Sequence, residues 1–127
     1  MPLRSPRLRM SRRRFERVVA EAIAALPPEF RRRLQNVAVV VEDRPSVETL
    51  RQLGLPPGET LFGLYEGTPL GQRGTGYTLA TPDRITIYRE PLLTECATER
   101  ELIDEIKATV LHEIAHHFGL RDDELDW

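Results

Sequence analysis

The chain has 127 residues, 40 % of them hydrophobic, which suffices for one modest core and not for two. Its formal charge is -2, yet residues 1–17 hold seven arginines against one glutamate, so a local balance of +6 leaves -8 on the remaining 110 residues. A single cysteine, Cys96, excludes an internal disulfide, and no run of roughly 20 apolar residues is present to span a membrane; a cytoplasmic protein with no membrane partner is expected.

The expected organisation is a disordered arginine-rich tail over residues 1–10 and one domain over residues 11–127. Clustered arginines bind phosphate without sequence preference. Here no aromatic side chain stands among them to stack on bases, and the whole chain uses seventeen arginines to one lysine. A solvated tail is therefore expected, and nucleic acid is not an expected partner. Ser11-Arg12-Arg13-Arg14-Phe15 has the look of a twin-arginine export signal, but Glu16, Arg17 and Glu21 interrupt the apolar run that such a signal needs.

Phe15, Val18, Val19, Ala22, Ile23 and Leu26 instead form one apolar face of a helix capped by Ser11 and ended by Pro27-Pro28. A short helix follows from Pro28 to Leu34, with proline in its first turn where no amide bond is lost. From Asn36 to Val41 the β-branched run NVAVVV predicts a strand covered on both faces. Val47 to Leu53 reads as a helix closed by Gly54, and Pro56-Pro57-Gly58 as a turn. Thr60 to Tyr65 is a second expected strand. Gly67 to Pro82 contains four glycines and no hydrophobic period, which suits either a flap near a cleft or a plain connection. Arg84 to Arg89 is the third expected strand, alternating Ile85 and Ile87 with Thr86 and Tyr88; as a sheet edge it would be a place to pair with an extended peptide.

The last helix is expected to start at a capping box of Thr98 and Glu101. Leu102, Ile103, Ile106, Val110, Leu111, Ile114, Ala115 and Phe118 cover more than half its circumference, which makes it the central core element. Glu105, Thr109, His112 and His116 line the remaining strip. His112-Glu113-x-x-His116 has two imidazoles one helical turn apart, a spacing that lets both reach one zinc ion. A catalytic zinc takes a third protein ligand and keeps a position for water. Gly119 can end the helix in the left-handed conformation and bring Asp122 back toward the metal. Asp122 is the first choice, and Asp123 competes with it because a shift of one residue in the turn exchanges them. Glu113 is rotated by about 100° from His112 and has the place of a general base toward water. His117 points away from the pair and is expected to be structural. Tyr77, Tyr88 and Arg121 are candidate donors to a developing oxyanion.

The stretch HEIAHHFGLRDDE, preceded by PDRITIYREPLL and by LFGLYEGTPL, resembles the very small bacterial zincin-like proteins described as neutral zinc metallopeptidases. The likeness runs from about Phe15 onward. It implies zinc ligands at His112, His116 and Asp122, with Glu113 as catalytic base. Metzincins need a methionine turn beneath the metal, whereas the methionines here are Met1 and Met10. An rRNA-processing endoribonuclease family shares the histidine spacing but lacks a glutamate after the first histidine, which this chain has at Glu113.

The expected fold class is α+β, a minimal zincin-like fold in which a small mixed sheet of about three strands packs on helices around a central HExxH helix. The expected activity is zinc-dependent hydrolysis of peptide bonds in a peptide or protein substrate. Two alternatives are a metal-binding protein of the same fold without peptidase activity and a metal-dependent endoribonuclease.

Overall fold

The computed structural model describes residues 5–56, 60–67 and 83–118. The expected glycine-rich flap and the Pro56-Pro57-Gly58 turn fall wholly or partly outside these residues, as do Gly119, Asp122, Asp123 and Trp127.

Helix α1, Arg12–Ala24, opens where Ser11 accepts a hydrogen bond from the Arg14 amide at 3.1 Å. Phe15, Val18, Val19 and Ala22 are its buried face. Helix α2, Pro28–Arg33, adds Phe30 to the same core. Strand β1 is Val37–Glu42, helix α3 Val47–Gln52 and strand β2 Gly63–Glu66. Helix α3 ends at Gly54, whose φ of 73° is a left-handed value that a side chain would strain. Strand β3, Asp83–Tyr88, runs without a loop into helix α4, Arg89–Glu95. Helix α5, Glu99–Phe118, completes the described elements.

The sheet has the order β1-β3-β2, with β1 parallel and β2 antiparallel to β3. It is the small mixed sheet expected of an α+β domain. Two strand roles differ from expectation. β3 is the middle strand and is paired on both sides, so it offers no edge to a peptide. Its Ile85 and Ile87 are fully buried, and Thr86 and Tyr88, which alternate to the opposite face, are each 2 % exposed. β1, expected to be covered on both faces, is an edge strand among the described strands, and its Val37 to Val40 are only half-buried. Apolar composition signals burial but carries no record of which neighbour a strand pairs with.

The core gathers Phe15, Val18, Leu92, Leu102, Ile106, Val110, Leu111 and Ile114, with Ile85 and Ile87 from the sheet. Each such side chain contributes about 1.5–3 kcal/mol by leaving water. α5 supplies five of these ten, more than any other element, which makes it the central element. Its N-terminus is closed by Thr98, whose hydroxyl accepts from the Glu101 amide at 3.1 Å, while Glu101 reaches back to the Ala97 amide at 2.8 Å. The reciprocal bond lands one residue earlier than in the usual capping box.

Helix α4 takes the place of a continued extended segment after β3. Pro91 stands in its first turn, where a missing amide proton costs no helical bond. Leu92 and Leu93 thereby reach the core. The segment ahead of α1, assigned on composition to a solvated tail through residue 10, lies against α4 from residue 7. The Arg7 and Leu8 amides both donate to the Leu93 carbonyl, at 2.9 and 3.0 Å, and Leu8 and Met10 pack on the core.

Candidate active site

Helix α5 presents its second face away from the core. His112 and His116 are both exposed there, one turn apart, while their neighbours Leu111, Ile114 and Ala115 are buried. The His112 Nδ1 lies 2.8 Å from the Ala108 carbonyl oxygen. A carbonyl only accepts, so Nδ1 carries the proton and Nε2 is the nitrogen suited to a ligand role. Two imidazoles in this arrangement fit zinc's preference for neutral nitrogen donors. Among the described residues no group of three metal-ligating side chains is assembled, and Asp122 and Asp123 lie outside those residues.

Glu113 turns from this strip toward the sheet. Its Oε1 accepts a 2.7 Å hydrogen bond from the main-chain amide of Tyr65 in β2. A neutral donor of this kind fixes the rotamer of the carboxylate without bringing a counter-charge to it. His117, four residues further, faces the same strand. Its ring stacks on Tyr65 with centroids 3.9 Å apart and planes 20° from parallel, and its Nε2 lies 3.7 Å from Asp83 Oδ2. The Tyr65 hydroxyl donates to the same Asp83 oxygen at 2.8 Å. His117 thus joins helix to sheet by contacts with β2 and β3.

Tyr65 and Asp83 carry no sequence motif and were not among the expected site residues. A signal was present in retrospect: Gly63, Tyr65 and Gly67 stand at strand spacing, and Thr109, Glu113 and His117 at helical spacing. Of the candidate oxyanion donors, Tyr77 and Arg121 lie outside the described residues. Tyr88 is deeply buried on the opposite face of β3 from Ile85 and Ile87, and burial pushes its phenol above the ordinary range. The charges of Glu42, Glu66 and Glu113 push it the same way. Glu105 is half-buried, and its charge adds to the burial that pushes the Cys96 thiol up to about 11. Cys96 is 4 % exposed, the buried and unreactive thiol expected of a structural cysteine.

The family model for zincin-like metallopeptidases matches residues 34–127. The chain belongs to the zincin-like metallopeptidase family. The matched stretch includes the three described strands, the HExxH helix and both candidate aspartates. Among solved structures, a conserved hypothetical protein from T. thermophilus is similar in fold, with a TM-score of 0.58 and 24 % identity over 86 % of this chain and 94 % of that one. No curated protein matches. Among the described residues, no helix of this zincin-like protein is long and apolar enough to cross a membrane.

Proposed function

We propose that this protein is a zinc-dependent peptidase acting on a peptide or protein substrate in the cytoplasm. The observation that carries the reading is the division of labour on α5: His112 and His116 face outward together, while Glu113 between them is turned and held by the Tyr65 amide at 2.7 Å. The metal would be held by His112, His116 and Asp122, with Asp123 as the alternative third ligand. What zinc supplies in such a site is Lewis acidity, which brings the pKa of water toward about 7 and polarises a carbonyl. Glu113 takes the proton from the water that adds to the scissile carbonyl carbon, and returns it to the amide nitrogen as the carbon–nitrogen bond breaks. Its second oxygen, Oε2, is the atom for this work, since Oε1 is engaged by Tyr65.

The ribonuclease alternative is less favoured because three of the seven arginines in residues 1–17 are engaged within the protein. Arg14 pairs with Glu99, Arg12 bonds the Val41 carbonyl beside Asp43, and Arg7 bonds the Glu95 carbonyl. A zinc protein without hydrolase activity would keep the histidines but make no use of the held glutamate.

The test loads the full chain with zinc and assays unstructured peptides and RNA in parallel. Peptide cleavage that disappears in Glu113→Gln with zinc retained supports the reading. Cleavage of peptides by Glu113→Gln at the wild-type rate removes Glu113 from the mechanism, and RNA cleavage without peptide cleavage transfers the site to the other class.

A further inference from the structure

We propose that β2 is the positioning element for Glu113, with the Tyr65 main-chain amide holding the carboxylate and Gly63 setting the distance between strand and helix; this rests on the reading of Glu113 as the base. β2 and α5 meet at three points in step. A Cβ on Gly63 would lie 2.7 Å from Thr109 Cγ2, Tyr65 bonds Glu113, and a Cβ on Gly67 would lie 2.9 Å from His117 Cε1. Two residues of strand advance about 6.6 Å. Four residues of helix advance about 6 Å. The stripe 63, 65, 67 therefore keeps pace with the stripe 109, 113, 117 over its whole length, and residues without side chains flank the one amide that matters.

The direction of that amide follows from the register. Tyr65 stands opposite Ile85, and the Tyr88 amide donates to the Phe62 carbonyl at 2.9 Å. Antiparallel pairs alternate between bonded and non-bonded, so with Phe62 bonded to Tyr88, residues 63 and 65 send their main-chain groups away from β3. The Tyr65 amide thus leaves the sheet toward α5. Its side chain anchors the strand at this register through His117 and Asp83. A Cβ at 63 forces a shift where β2 meets Thr109, and with the Thr86 carbonyl 3.2 Å from the same added atom we infer that β2 moves off the helix. The amide then withdraws and Oε1 is released to rotate.

The experiment combines amide hydrogen exchange, zinc content and steady-state kinetics on the full zinc-loaded chain. In wild type the Tyr65 amide should exchange slowly; in Glu113→Ala it should exchange about tenfold faster or more, while the Leu64 and Glu66 amides, bonded to β3, keep their rates. Gly63→Ala should lower kcat about ten- to a hundredfold with KM and zinc content near wild type. Thr109→Ser, which removes the Cγ2 that the new methyl would strike, should restore most of that loss in the Gly63→Ala background. Equal Tyr65 exchange in wild type and Glu113→Ala, full kcat in Gly63→Ala, or a loss that Thr109→Ser leaves untouched would each overturn the proposal. Should Gly63→Ala not fold, the exchange comparison still decides it. A wild-type protein that cleaves no peptide but shows the Glu113-dependent Tyr65 protection would contradict the peptidase reading alone.

Discussion

At the β1 edge of the sheet a cation from α1 reaches a carbonyl: the Arg12 guanidinium donates to Val41. At the β2 edge an anion from α5 reaches an amide: Glu113 accepts from Tyr65. Both contacts occupy a main-chain group that would otherwise invite another strand. They differ in what happens to the charge. Arg12 lies 3.9 Å from Asp43, itself bonded by Arg89 at 3.0 Å, so the β1 closure is a compensated, half-exposed network. Glu113 is met by a neutral donor, and among the described residues no cation pairs with it. The same device serves cohesion at one edge and, in the reading proposed here, chemistry at the other.

The comparison is broken most severely by removing the functional member. Glu113→Gln should reduce peptide hydrolysis by about 10²–10⁴-fold while zinc content stays at the wild-type level, measured by single-substrate kinetics and elemental analysis. Beneath it, Leu111→Ala on the buried face of α5 should cost about 2–5 kcal/mol in urea unfolding. That would show that the face opposite the histidines carries the stability. Arg12→Ala, the counterpart deletion at β1, should cost about 1 kcal/mol or less, because the pair is exposed, and should leave the hydrolytic rate unchanged. The smallest effect concerns Cys96, remote from either edge. The folded protein should react negligibly with a thiol reagent at pH 8 and fully after unfolding. Because the folded thiol stays neutral up to about 11 while an unfolded one ionises near 9.0, Cys96 favours the fold below pH 9 and loses that contribution as pH rises toward 11. Cys96→Ala should reduce the alkaline loss of stability in that window.

Much of this arrangement was legible in the residues. The apolar spacing from Phe15 to Leu26, the Ser11 cap, the glycine after α3 and the Thr98 box each act within a few residues of chain, and each is present within a residue or two of its expected place. Helix α4 was not legible because Pro91 reads as a breaker unless the start of the helix is already known. The exchange of roles between β1 and β3 was hidden for another reason: strand order is decided by pairing across 46 residues, as between Val37 and Asp83, and not by local composition. At the site, His112, His116 and Glu113 announced themselves by spacing. Tyr65 did not, since its contribution is a main-chain amide that every residue but proline possesses.

The most direct test of a zinc centre on α5 is calorimetric titration of the metal-free chain with zinc, run beside His112→Ala, His116→Ala and Asp122→Ala. Wild type should bind about one ion per chain, each histidine variant should lose that binding, and Asp122→Ala should weaken it unless Asp123 is the third ligand. Full-affinity binding by either His112→Ala or His116→Ala would contradict the account.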